Sequence, residues 1–371
     1  MPARIPLILV FMSTDDSSPP RPAYVTAPKL DLPRSASESS ARRRPLIPIP
    51  ETSRLDNCTL EDFVLGKTLG TGSFGRVKHA LCKKTDEYVA LKILKKSAVI
   101  RLKQVDHIIS EKTILKAITH PFIVSLQGSF QDASCLYLAL EYIPGGEFFS
   151  YLRRVGRLEA TSASFYAAQI VSIFEYLHQF KIAYRDLKPE NILIGADGYL
   201  KLTDFGFAKV VKTYTLTVCG TPDYLAPETL LNKGHSISSD YWALGVFIYE
   251  MLVGYPPFIG QDTMGTYQKI LAGKYAFPKF VDSNGKQLIK NLLQADLTKR
   301  YGNLKNGVKD IKDSSFFTGI DWERLIAKKI VAPYIPTLTG DTDTSNFEQY
   351  PDSVDKALVA PALDPDPFST W

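Results

Sequence analysis

Tyr184-Arg185-Asp186-Leu187-Lys188-Pro189-Glu190-Asn191, followed thirteen residues later by Asp204-Phe205-Gly206, places two carboxylates, an ammonium and an amide on two closely spaced loops. Phosphoryl transfer needs that inventory: a carboxylate to orient an attacking hydroxyl, a cation for the moving group, and oxygen ligands for Mg²⁺. Charged residues between apolar segments are usually just solvated loop. Eight ordered positions with a spaced second motif rarely arise that way.

Upstream, Gly70-Thr71-Gly72-Ser73-Phe74-Gly75-Arg76-Val77 lies between two expected strands. The G-x-G-x-x-G spacing alone is weak, because dinucleotide folds share it. Here a strand follows the loop rather than a helix, so the dinucleotide reading fails its context. A strand–glycine loop–strand hairpin can instead lay backbone N–H groups over phosphates. In Val89-Ala90-Leu91-Lys92-Ile93, period two turns Val89, Leu91 and Ile93 one way and Ala90 and Lys92 the other. A lone strand lysine is more often solvated, but Glu111 shares a helix face with His107 and Leu115 and could pair with Lys92.

The sequence has 371 residues, 45% apolar and 22% charged, within the range of globular proteins and long enough for one two-lobed unit. A net charge of +5 without a basic block interleaved with aromatics gives no case for nucleic acid. Cys58, Cys82, Cys135 and Cys219 are scattered, which fits free thiols better than a disulfide framework or zinc site. Ile5–Met12 is apolar but too short to span a bilayer and lacks a cleavage site, so no transmembrane or exported form is expected. Pro2 excludes N-terminal myristoylation.

Residues 13 to about 55 are rich in Ser, Pro and Arg without an apolar period, so 1–55 reads as a disordered arm. Arg42-Arg43-Arg44 within it is a docking patch or a solvated run. From Phe63 the pattern predicts strands over Phe63–Leu69, Arg76–Leu81 and Tyr88–Leu94, a helix over Val105–Ile118, and strands near Ile123–Phe130 and Leu136–Tyr142. Beyond Gly145-Gly146 it is mainly helical, with Ser162–Phe180 and Tyr241–Leu252 apolar on most faces. The α+β expectation is a small β-rich lobe (63–140), a connection (141–146) and a larger helical lobe (147–317), with a ligand cleft between the lobes.

Together these motifs, with Ala226-Pro227-Glu228, Asp240 and Arg300, resemble a eukaryotic protein kinase over Phe63 to Phe317. The resemblance implies the two-lobed kinase fold, with a five-stranded antiparallel sheet and one main helix in the small lobe. It makes Asp186 the catalytic base, Lys188 its γ-phosphate partner, and Lys92–Glu111 the pair at the α- and β-phosphates. Asn191 and Asp204 would hold two Mg²⁺ ions. ATP would contact Leu69, the loop residues Gly70, Thr71, Gly72, Ser73, Phe74 and Gly75, and Val77, Ala90, Lys92, Glu141, Ile143, Glu147, Leu193, Thr203 and Phe347. Glu228 and Arg300 match a buried structural ion pair. Tyr184 replaces the commoner His at a packing position where Tyr should be tolerated.

Lys209–Glu228, reading KVVKTYTLTVCGTPDYLAPE, resembles the AGC group of these kinases and is closest to the cAMP-dependent type. That makes Thr217 an activation-loop phosphosite, modified by itself or by an upstream kinase, with His107, Arg185 and Lys209 as its cationic partners. Glu147, Glu190 and Glu250 match positions that read arginines upstream of the target Ser/Thr, and Val218, Pro222 and Leu225 an apolar pocket after it. Glu250 could instead be a simple helix-end charge. Residues 318–371 resemble the AGC tail: Asn346–Tyr350 crosses the cleft mouth, and Phe368 and Trp371 plug a small-lobe pocket. Trp371 stands where a Phe is usual, no clear turn phosphosite is present, and Leu216 replaces a Trp used in binding a regulatory subunit. With no cyclic-nucleotide domain in the chain, such control would come from a separate regulatory subunit touching Tyr267. The alternatives are an AGC kinase under other signals and a pseudokinase scaffold, the latter disfavoured by Lys92, Asp186, Asn191 and Asp204. Cytoplasmic or nuclear placement follows from the same resemblance.

Overall fold

The computed structural model describes residues 53–211, 213–215, 219–234, 236–350, 366–369 and 371. Ile5–Met12, Arg42–Arg44, Leu216, Thr217 and Val218 therefore lie outside the described residues. Strands β1 (Phe63–Thr71), β2 (Gly75–Cys82) and β3 (Glu87–Lys95) form a meander, followed by helices α1 (Lys96–Arg101) and α2 (Val105–Ala117). Strands β4 (Leu126–Gln131) and β5 (Cys135–Glu141) complete an antiparallel sheet of order β1-β2-β3-β5-β4. The expected five-stranded small lobe is thus present, and its alternation is as read: Val89 and Leu91 are buried in the sheet's core with Phe63, Ala80 and Ala139. Ala90 packs instead against the larger core below.

Two details differ. The fourth strand starts later than Ile123, because Ile123 bridges Leu202 and the Val124 N–H donates to the Leu202 carbonyl, tying this stretch to the other lobe. The arm does not extend through Leu55, which is buried, and whose N–H donates to the Gln127 carbonyl.

After Glu141 come α3 (Phe148–Val155) and α4 (Ala160–Gln179), then the short strands β6 (Ile182–Ala183), β7 (Ile192–Ile194), β8 (Leu200–Leu202) and β9 (Lys209–Val210). β6 pairs with β9 and β7 with β8, and these two ribbons frame the loops that carry the opening motif. Next are α5 (Pro227–Leu230), α6 (Ser238–Val253), α7 (Thr263–Ala272), α8 (Ser283–Leu292), α9 (Lys309–Lys312) and α10 (Trp322–Ile326). α4 and α6 pack together and are buried on nearly every face, as their apolar sequence requires. Among the described residues no helix is long and apolar enough to cross a membrane, and all four cysteines are free thiols.

Candidate active site

The glycine loop joins β1 to β2 and closes with a hydrogen bond from the Gly72 N–H to the Gly75 carbonyl at 2.9 Å. Its glycines have different reasons. A Cβ on Gly75 would sit 1.8 Å from the Ile93 carbonyl oxygen, so that position is fixed by strand approach. Gly70 and Gly72 face open space: a Cβ on either would meet nothing within 4 Å, which leaves their backbone approachable by a ligand. Beneath the hairpin, β3 carries Lys92, whose Nζ donates to Glu111 of α2 at 2.7 Å and lies 3.5 Å from Asp204. Burial works against this ammonium, but the Asp204 and Glu111 carboxylates outweigh it and hold Lys92 above the ordinary lysine value.

The two catalytic-loop motifs are held in conformations that residues with side chains rarely adopt: Arg185 has φ +70° and Asp204 φ +57°. Such strain persists only where neighbours over-determine it. Asp240, at the start of α6, supplies the constraint at Arg185. Its buried carboxylate accepts the Tyr184 and Arg185 N–H groups at 2.9 and 2.8 Å and contacts His178 Nε2 at 2.8 Å. Tyr184 is fully buried, meets Phe205 edge-on at 5.2 Å, and donates its hydroxyl to the Thr203 carbonyl at 2.7 Å. Packing expected at this position is present, with a hydrogen bond added.

Asp186 accepts from Lys188 Nζ at 2.8 Å, Asn191 Nδ2 at 2.7 Å and Thr221 Oγ1 at 3.3 Å. Burial pushes its carboxyl up, while Lys188 and Asn191 pull it back. Asp204 behaves oppositely, because Lys92 holds it below the usual carboxylate range. The two carboxylates are therefore separated in character: one is inclined to take a proton, the other to stay charged. Mg²⁺ bound with phosphates needs only one or two protein oxygens. The half-exposed Asp204 carboxylate and Asn191, whose Nδ2 is committed to Asp186 and whose amide oxygen is left to offer, fit that role. Among the described residues no cluster of three or more His, Cys, Asp or Glu could hold a metal by itself.

The other residues expected to contact nucleotide lie on the small-lobe strands, the connection and the β7–β8 ribbon. Leu69, Val77 and Ala90 lie on β1, β2 and β3, and Leu193 on β7. Thr203 follows β8, its N–H bonded to the Asn191 carbonyl at 2.9 Å. Ile143 is buried in the connection, and Glu141 turns its side chain to Lys201 at 2.8 Å. Glu147 stands at the N-terminal end of α3 and bridges Leu193. The tail returns here from far in sequence. Lys67 Nζ donates to the Thr344 and Phe347 carbonyls at 2.8 and 2.9 Å, and Tyr142 to the Asp343 carbonyl at 2.5 Å. Phe347 then lies 6.1 Å from the Tyr142 ring, beside the connection between the lobes. Sequence gives no reason to single out Lys67, since nothing local marks a lysine that bonds to carbonyls 277 and 280 residues away.

His107, Arg185 and Lys209 lie near one another, and Thr217 itself is outside the described residues. Burial, with the Arg185 and Lys209 cations nearby, lowers His107, and the buried Arg185 Nη1 has no hydrogen-bond partner among the described residues. Glu250 is buried in α6 and paired, not a loose helix-end charge: Arg153 Nη2 lies at 2.6 Å and the Tyr224 hydroxyl at 2.5 Å. Glu190 is exposed, and its charge is felt at both Glu250 and Asp223. Asp223, Arg153 and Tyr224 thus join an acidic group whose sequence signal is only its carboxylates. Leu225 lines a small cavity with Leu187, Tyr224 and Ala243, while Pro222 is not part of that lining. At the tail's end Phe368 is buried among Leu94, Val99, Ile108 and Leu136, and Trp371 Nε1 donates to the Phe130 carbonyl at 2.9 Å.

Over residues 63–317 the chain matches the protein kinase domain family. It is 46% identical over 352 residues to the human cAMP-dependent protein kinase catalytic subunit PRKX, covering 94% of this chain and 98% of that one. Identity to the cAMP-dependent protein kinase catalytic subunit 3 of Drosophila melanogaster is 50% over 295 residues, 79% of this chain but only 50% of the fly protein. The cAMP-dependent protein kinase type 3 of Saccharomyces cerevisiae is 45% identical over 311 residues, covering 84% and 78%. With the assembled site and these likenesses together, the chain belongs to the protein kinase family, as a serine/threonine kinase of the type formed by the catalytic subunits of cAMP-dependent protein kinase.

Proposed function

We propose that this kinase moves the γ-phosphoryl group of ATP to Ser or Thr hydroxyls preceded by arginines, and that a separate cyclic-nucleotide-binding subunit restrains it. Lys92 held between Glu111 and Asp204 carries the reading, because it sets a fixed ammonium beside an ionised carboxylate under an open glycine loop. Asp186 orients the substrate hydroxyl and receives its proton as the new O–P bond forms and the bond to the β-phosphate oxygen breaks. Lys188 follows the moving group, and Lys92 steadies the α- and β-phosphates of the departing ADP. Two Mg²⁺ ions at Asp204 and Asn191 would neutralise charge on the phosphate oxygens. Thr217, once phosphorylated, would meet the cations of His107, Arg185 and Lys209.

Arginine selection is supported by Glu250, which already accepts one guanidinium, Arg153, beside Glu190 and Asp223. Glu250→Gln is expected to lower kcat/KM for an Arg-Arg-x-Ser peptide roughly 10- to 100-fold, the scale of a lost charge-assisted hydrogen bond. A peptide lacking the upstream arginines should lose less than about threefold. Equal losses on both peptides would remove Glu250 from recognition.

The relatives named catalytic subunits support a regulatory partner, as does α7, where Met264 and Leu271 are exposed on the side that carries Tyr267. Immobilised regulatory subunit should retain the chain and release it on addition of cAMP. Absence of retention would leave a kinase under other signals, and release by a different cyclic nucleotide would reassign the second messenger.

A further inference from the structure

Residues Leu55–Cys58 precede the stretch that matches the kinase domain, yet they are built into the small lobe. A Cβ on Gly128 would lie 2.4 Å from the Leu55 carbonyl carbon, so glycine in β4 is what admits this segment. Asp56 uses both carboxylate oxygens. Oδ1 accepts the Ser129 N–H of β4 at 3.1 Å, and Oδ2 accepts Lys116 Nζ at 2.7 Å and the Ser53 N–H at 3.1 Å. Burial opposes its ionisation, but these donors prevail and hold the carboxyl below its usual range. Lys116 stands in the last turn of α2, the helix that carries Glu111. One turn earlier, Lys112 Nζ lies 4.6 Å from the Trp371 ring centroid. The outer end of α2 is therefore gripped by two segments from outside the catalytic domain, while Glu111 on the same helix holds Lys92.

We propose that Asp56 is a positioning residue: through Lys116 it fixes α2, and so sets the Glu111 carboxylate that presents Lys92 to the nucleotide. A single rigid helix links the two contacts, so releasing one end shifts the other. The inference rests on the reading of Lys92–Glu111 as a phosphate-holding pair.

The test uses the full chain and Mg·ATP. Asp56→Asn keeps an acceptor for Ser129 but loses the ion pair, and should lower kcat/KM for ATP roughly 3- to 20-fold with the peptide KM unchanged. Lys116→Gln, at a partly exposed site, should reproduce this and keeps the test valid if Asp56→Asn folds poorly. In a Glu111→Gln background neither change should weaken binding of a non-hydrolysable ATP analogue further, since the group they position is already gone. Wild-type ATP kinetics in both variants, or the same loss repeated on Glu111→Gln, would overturn the proposal. Lys92→Met separates the two readings: if it leaves nucleotide binding and transfer intact, the phosphate-holding pair itself fails.

Discussion

Asp186→Asn is expected to lower kcat roughly 10²- to 10⁴-fold, the range for removing a positioned proton acceptor, with the fold retained. The carboxylate is almost fully enclosed, and its bonds to Lys188, Asn191 and Thr221 fix its orientation. Asparagine has the same shape but cannot take the proton. The loop itself does not depend on Asp186, because Asp240 holds the Tyr184 and Arg185 N–H groups from α6. Lys92→Met should cause a loss of similar size by a different route: Asp204 and Glu111 would be left facing each other without the cation between them. The pH profile adds a sign. Burial raises the Asp186 carboxyl, so activity should fall on the acid side at a pH above that of an ordinary aspartate, as the base becomes protonated. Circular dichroism and thermal melts check the fold, and transfer of labelled phosphate to an arginine-containing peptide checks the chemistry. Near-wild-type transfer by either variant would end the assignment of that residue.

Sequence makes the chemistry legible wherever local period fixes direction. Alternation along β3 places Lys92 and Ala90 opposite Val89 and Leu91 because successive strand residues must face opposite ways. Glu250 stands out because a carboxylate in an apolar helix needs a partner. Its partners are not legible: Arg153 lies 97 residues and Tyr224 26 residues away, brought in by packing of α3 and the segment before α5. The same holds for the sheet order, in which β5 inserts between β3 and β4. Helix α1 escapes a sequence reading because six residues give too short a period. Leu55 reads as the end of the arm because Ser/Pro/Arg-rich surroundings outweigh one leucine in any composition argument. Its place is opened by Gly128 in β4, where a Cβ would collide with it.

Arg300→Ala should be the most destabilising change of a residue that touches neither nucleotide nor substrate, by about 3–5 kcal/mol. Arg300 is fully buried, and four of its five guanidinium N–H groups find acceptors. Nη1 donates to Glu228 at 2.7 Å and to the Ser238 carbonyl at 3.0 Å, Nη2 to Glu228 at 2.9 Å, and Nε to the Gln294 carbonyl at 2.9 Å. Its plane also lies 5.2 Å from the Trp242 ring centroid. Truncation leaves the buried Glu228 carboxylate without a counter-charge and strands two carbonyls, which costs far more than the net worth of the pair. In a domain of this size the midpoint of thermal unfolding should drop by roughly 10 °C. The double variant Glu228→Gln/Arg300→Met removes both charges together and should recover part of the loss, because a neutral, packed pair carries no unpaired ion. Glu228 sits in the first turn of α5, two residues after Ala226, which with Leu225 lines the cavity beside the catalytic loop. The surviving folded fraction of Arg300→Ala should therefore also show a raised peptide KM with the ATP KM little changed. Wild-type stability in Arg300→Ala, or a double variant less stable than the single one, would show that the pair does not anchor this segment.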